Sequence, residues 1–276
     1  MSLRDQLEGE WARLGEVPPD ALEDARLNAH FAFQVVAAAG VSLIPAADDD
    51  SHTSAEWLDR LQSLIGQEIP GGFRVALRLR DLRLQLLQKG GIELVSVPME
   101  GKSIQAGIDW LKKSIKEEAG LDAPPGIGRP RYEMPEFDAD KLKADPEKLG
   151  ALARWYANAD RALQFIAARE KEASRVMCWP HHFDLATLLT LEDGRTIGIG
   201  MSPGDENYRQ PYYYVTPHPY PKGDLPALTG GGTWHRKGWT GAVLSGNKLA
   251  SGDSASRQVE TLTEFLNSAI AACREL

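Results

Sequence analysis

The chain has 276 residues, 42% of them hydrophobic, and a formal net charge of −8 at pH 7. That length admits one large domain or two of about 100–150 residues, and the apolar content supports a sizeable core. The acidic balance argues against nucleic acid or an anionic membrane as the default partner, and no window approaches the roughly 20 apolar residues of a membrane helix.

The start, MSLRDQLEGEW, is charged at once and lacks the apolar core of a signal peptide. Cys178 and Cys273 are the only cysteines, and both sit in apolar patterns, which fits a reducing compartment without a disulfide framework. A soluble cytoplasmic protein is expected.

Asp20 and Glu23, after Pro18-Pro19, make a capping-box-like start to a helix over 20–39. Leu22, Ala25, Ala29, Ala32, Val36 and Ala39 form its stripe, and Gly40 is expected to stop it. Residues 45–53 read as an acidic loop, and 54–66 fit either a short strand pair or a helix. From Phe73 to Arg80, apolar residues alternate with Arg74, Ala76, Arg78 and Arg80, the pattern of a strand with one wet face. Leu82, Leu84 and Leu86 resume the alternation, and 92–97 follows the Gly90-Gly91 turn, so an antiparallel meander is predicted.

Ser103 caps a predicted helix with the stripe Ile104, Ile108, Leu111 and Ile115, ending at Gly120. Residues 121–144 are rich in Pro, Gly and charge and read as a connector between an N-terminal half, 1–120, and a C-terminal half, 145–276. Asp145-Pro146 opens the longest helix. Strands are then predicted at 182–191, 195–201, 211–216 and near 239–244, and a last helix at about 255–274. Helix, antiparallel strands, helix occurs twice, which predicts an α+β fold with about four main helices and two similar α-β-α halves.

The chemistry concentrates between Cys178 and Pro219. If the strand begins near residue 182, alternation puts His182 and Asp184 on one face, where the carboxylate would orient the imidazole as a general base. His182 and Asp184 are therefore the candidate catalytic pair. The competing reading is structural, one histidine packing on Trp179 and the other bonding to backbone. The loop from Ser202 to Tyr208 carries more polar groups than a turn requires, so it either closes over a pocket or merely joins strands. Candidate ligand-binding residues are His181, Ser202, Asp205, Tyr208 and His52.

Several motif matches fail on physical grounds. Gly200-Met-Ser-Pro-Gly204 fits the nucleophile elbow of serine hydrolases, but Pro203 has no N–H for the oxyanion hole and no helix start follows. The same missing helix argues against a dinucleotide loop. Gly198 and Gly200 share a strand face and more plausibly make room for large rings such as Tyr212 and Tyr214. Five histidines (52, 181, 182, 218, 235), with Asp184 and Asp205, could supply three metal ligands, but no metal-ligand spacing is present, so no metal residue or cofactor is assigned. Arg74, Arg78, Arg80 and Arg83 form a basic face, either paired with carboxylates across strands or open to an anion.

The signature Trp179-Pro-His-His-Phe-Asp-Leu-Ala186, then Gly-Met-Ser-Pro-Gly-Asp205, then Pro211-Tyr-Tyr-Tyr-Val215 resembles that of a family of uncharacterised conserved bacterial proteins. The likeness spans most of the chain and is weakest over 121–144. It implies relatives and no reaction. The expectation is therefore a site for a small polar or anionic ligand around the histidine-bearing strand and the 202–208 loop. The alternatives are a non-catalytic interaction protein and a metal-dependent hydrolase.

Overall fold

The computed structural model describes residues 2–121, 127–128 and 132–276. Parts of the connector, 122–126 and 129–131, thus lie outside the described residues. The helices are α1 (Leu3–Glu8), α2 (Glu23–Leu43), α3 (Ile104–Ala119), α4 (Pro146–Ala167), α5 (Gly246–Ala250) and α6 (Ala255–Glu275). The strands are β1 (Ala55–Leu58), β2 (Ser63–Ile69), β3 (Phe73–Arg78), β4 (Arg83–Gln88), β5 (Ile92–Pro98), β6 (Met177–Trp179), β7 (Asp184–Thr190), β8 (Thr196–Ser202), β9 (Tyr212–His218), β10 (Thr233–His235) and β11 (Gly241–Ser245). The class is α+β with antiparallel strands, and no helix among the described residues is long and apolar enough to cross a membrane.

Packing divides the chain into two compact units, both drawn from separated segments: Asp24–Ala153 with Met177–Phe183, and Met1–Glu23 with Arg154–Val176 and Asp184–Leu276.

The first unit holds strands in the order β6-β1-β2-β3-β4-β5. The ambiguous stretch 54–66 is the β1–β2 hairpin, closed by a 3₁₀ turn at Asp59–Leu61 with Gln62 left-handed at φ +49°. The β3–β4 hairpin closes in the same way, with a 3₁₀ turn at Leu79–Asp81 and Leu82 at φ +48°. Arg74, Arg78 and Arg83 of this meander meet carboxylates, while Arg80 is exposed. Arg78 binds Asp81 through two bonds at 2.8 and 2.7 Å, Arg83 reaches Asp81 at 3.4 Å, and Arg74 lies 3.7 Å from Glu56.

Ser103 accepts the Ala106 N–H to cap α3, and Gly120 ends it left-handed at φ +64°, as the sequence predicts. The helix predicted over 20–39 begins as a 3₁₀ turn at Pro19–Leu22 and runs on through Gly40 to Leu43. From Asn28 to Gly40 every residue is buried, so α2 has no solvent face over that run. Gly40 is not a stop. A Cβ there would lie 2.2 Å from the His52 carbonyl oxygen, so the residue is small because another backbone crosses it.

Asp145 caps α4, accepting the Lys148 N–H at 3.2 Å. The second unit holds strands in the order β10-β11-β9-β8-β7. One face of this sheet is the core. Leu185, Ile197, Ile199, Met201, Tyr213, Val215 and Leu244 are fully buried there, and α6 packs on β8, β9 and β11. Alternation sends the intervening residues to the opposite face.

Candidate ligand-binding site

That opposite face is built from small and polar residues. Ala186, Gly200, Tyr214 and Val243 lie side by side across β7, β8, β9 and β11, and Ser202, Tyr212 and Ser245 form the next row. Gly200 is required by close approach: a Cβ would lie 2.5 Å from the Tyr214 hydroxyl and 2.8 Å from the Leu185 carbonyl. The phenol of Tyr214 therefore sits over Gly200 of β8, as the glycine pattern predicts, and its hydroxyl donates to Asp184 Oδ2 at 2.5 Å. At Gly241 the ring of Trp239 occupies the cleared space, 2.4 Å from where a Cβ would be.

The loop after β8 is pinned by Asp205. Its Oδ1 accepts the N–H groups of Asn207 and Tyr208 at 2.7 and 2.8 Å, and its Oδ2 accepts the Tyr212 hydroxyl at 2.6 Å. Ser202, 4% exposed, accepts the Gly204 N–H at 3.2 Å. Tyr208 and His235 are joined at 3.0 Å through Nδ1, while Nε2 of that imidazole faces the Lys237 carbonyl at 2.7 Å. A carbonyl accepts only, so Nε2 carries a proton, and in the neutral imidazole Nδ1 then accepts and the Tyr208 hydroxyl donates.

Burial, reinforced by the Asp184 carboxylate, raises the Tyr214 pKa well above its ordinary value, and burial with Asp205 does the same for Tyr212. Both hydroxyls stay protonated and serve as donors. Burial also holds the Cys273 thiol up at about 12, so that group is no nucleophile.

The expected catalytic pair is placed differently from its prediction. β7 starts at Asp184, and His181 and His182 lie in the turn 180–183 and are exposed. Strand alternation therefore does not pair His182 with Asp184, because Phe183 between them is left-handed at φ +57°. The two histidines belong to the first unit and Asp184 to the second.

Within the first unit the turn is held by residues of α2. The Pro180 carbonyl accepts from His30 Nε2 at 2.8 Å and Gln34 Nε2 at 3.1 Å, and the Tyr132 hydroxyl donates to Gln34 Oε1, fixing that amide's orientation. Phe183 stacks on His30 with centroids 5.1 Å apart. His181 meets the edges of Trp179 and Tyr132 at 6.5 and 6.1 Å. His52 accepts the Ala47 N–H on Nδ1 at 3.2 Å and so braces its own loop.

Of the expected residues, Asp184, Ser202, Asp205 and Tyr208 come from one unit. Tyr212, Tyr214, His235 and Trp239 join them. The first two were legible as rings on one strand face, although only Tyr214 stands opposite a glycine, Gly200, and Tyr212 stands opposite Ser202. His235 carried no such signal, since the three-residue β10 is too short to show a period. Among the described residues no three His, Cys, Asp or Glu side chains gather as a metal-ligand set. Comparison with protein-family models, with curated proteins and with solved structures finds no match.

Proposed function

We propose that the protein binds a small polar molecule on the glycine-cleared face of β7, β8, β9 and β11. The observation that carries this reading is the pair of tyrosine–aspartate contacts, Tyr214 to Asp184 and Tyr212 to Asp205, on a face where Tyr208, Tyr214, His235 and Trp239 keep part of their surface open. A sheet face serving only as core would carry aliphatic side chains, as the other face does. Here two carboxylates, three phenols and an indole converge on a rigid sheet with a braced loop at its rim, the composition of a site that fixes a ligand by a few oriented polar groups and ring faces.

Asp184, Ser202, Asp205 and Tyr208 are its polar lining. We also read the chain as a member of the bacterial family its signature resembles, because the signature residues build this face and the braced turn at 180–183.

A thermal-shift screen of neutral, cationic and anionic small molecules tests the reading. Hits should raise the melting temperature of the wild type and lose about tenfold in affinity or more in Tyr214→Phe, which removes one charge-assisted hydrogen bond, and in Asp205→Asn, which takes the charge from three. A panel without hits, or hits indifferent to both substitutions, would discard it.

A further inference from the structure

The aromatic rings on this face form a closed circuit. Centroids are 4.9 Å apart from Tyr208 to Tyr212, 6.2 Å from Tyr212 to Tyr214 and 6.5 Å from Tyr214 to Trp239. The circuit returns through His235, 4.5 Å from Trp239 and 5.6 Å from Tyr208. We infer that this circuit is a cage for an organic cation of the alkylammonium class, a reading that rests on the binding function proposed above.

The chemistry these rings have left decides the ligand's class. Every phenolic proton in the circuit is already committed: Tyr208 donates to His235, Tyr212 to Asp205 and Tyr214 to Asp184. The imidazole N–H of His235 is committed as well, to the Lys237 carbonyl. An anion needs several donors, and apart from the indole N–H of Trp239 these side chains have spent theirs. What they still present is ring faces, whose quadrupole attracts a cation within about 6 Å of a centroid, beside the negative charge of the two carboxylates to which Tyr212 and Tyr214 donate. A phenol that donates to a carboxylate also gains electron density in its ring, which strengthens attraction for a cation. Arg209, adjacent to Tyr208 in the chain, extends toward Glu23 at 3.9 Å with its side chain 78% exposed.

An alkylated ammonium fits these groups better than a bare one. It has little use for hydrogen-bond acceptors, sheds its weakly held hydration readily, and fills an apolar-walled space with methyl groups. The anionic ligand admitted by the sequence reading is thereby disfavoured at this face.

The test is titration of the intact protein with tetramethylammonium chloride, followed by calorimetry and by indole fluorescence. Sodium chloride controls for ionic strength, and tert-butanol is the uncharged molecule of similar shape. Saturable tetramethylammonium binding is expected, with tert-butanol about tenfold weaker or more. Trp239→Leu should lower the affinity by about tenfold and Trp239→Phe by about threefold, following the order of ring quadrupoles. If Trp239→Leu melts early, Tyr208→Leu, at a partly exposed ring, takes its place.

Equal affinity for tert-butanol, or wild-type binding by both leucine variants, overturns the inference. If tetramethylammonium fails while other small molecules bind and are lost in Tyr214→Phe, the cation assignment falls and the binding reading stands. If neither it nor any compound of the screen binds, both fall.

Discussion

His30 shows how far a single buried side chain can set behaviour that no local pattern announces. It is 2% exposed, its Nε2 faces the Pro180 carbonyl, and burial lowers its pKa from 6.5 to about 4, with the positive charge of Arg26 adding to the effect. His181 and His182 also face it with small contributions of the same sign, while the Pro180 carbonyl opposes them. The unfolded chain takes up this proton near pH 6.5 and the folded chain only near pH 4, so stability present above pH 6.5 is lost as pH falls through that window. The limit is about 3 kcal/mol, from 1.36 kcal/mol for each unit of difference. His30→Gln, which keeps an N–H donor but does not titrate, should flatten the denaturation midpoint between pH 6.5 and 4 relative to wild type. Parallel pH profiles of the two proteins would show instead that His30 titrates normally. The sequence offered no route to this role, because a histidine within an apolar helical run looks the same whether it fills space or braces a turn supplied 150 residues away.

Elements were legible where their cause is local. Ser103 and Asp145 as caps, Gly120 as a helix end, and the β3–β4 and β7–β8 hairpins all follow from residues within a few positions of one another. Reading failed where a distant backbone supplies the reason, and Gly40 separates the two situations by the sign of a substitution. As a helix-interior glycine with open space around it, replacement by Ala would stabilise α2 by about 1 kcal/mol through propensity. With the His52 carbonyl 2.2 Å and the Thr53 Cα 3.0 Å from the new methyl group, Gly40→Ala should instead destabilise the protein by about 1–3 kcal/mol, read as a lower urea midpoint with an unchanged slope. Gly200→Ala should also destabilise by about 1–3 kcal/mol, since its Cβ meets Tyr214 and the Leu185 carbonyl. Combined with Tyr214→Ala its cost should be less than additive, because one of the two collisions is then absent; strict additivity would place the whole strain on the backbone. The face behind this second prediction was visible in the sequence as glycines and tyrosines at period two, although only Gly200 stands opposite a tyrosine and Gly198 makes room for Thr216. The histidine pair was not, because a left-handed Phe183 carries neither Gly nor Asn to mark the turn.

Across the whole molecule, chain order conceals how the second unit is completed. Composition marks a boundary at 121–144, yet α4 carries the chain from one unit to the other between Ala153 and Arg154, inside a helix, where nothing in composition changes. The N-terminal segment supplies what later residues lack. The fully buried amide of Gln258 accepts from Trp11 Nε1 and the Leu14 N–H, both at 3.0 Å, and donates to the Leu14 carbonyl at 2.9 Å. The fully buried Asn158 donates to the Ala12 carbonyl at 2.7 Å and accepts its N–H at 3.0 Å. Leu3, Leu7, Trp11, Leu14, Val17 and Leu22 are buried alongside, and α1 packs on α6. Deleting residues 1–22 thus takes from two buried amides their N-terminal partners, at about 1–3 kcal/mol each, leaving Gln258 the Ala250 and Gly252 carbonyls and Asn158 the Arg161 guanidinium, and it removes six buried apolar side chains whose burial is worth about 1.5–3 kcal/mol apiece. Together these reach about 11–24 kcal/mol, as large as or larger than the 5–15 kcal/mol that holds an ordinary domain folded. The truncated chain should therefore lose its cooperative thermal transition, and a synthetic peptide of residues 1–22 added in trans should restore it in a concentration-dependent way. A truncated chain that still melts cooperatively within a few degrees of wild type would mean that Gln258 and Asn158 find other partners, and that the first 22 residues cover the second unit without completing it.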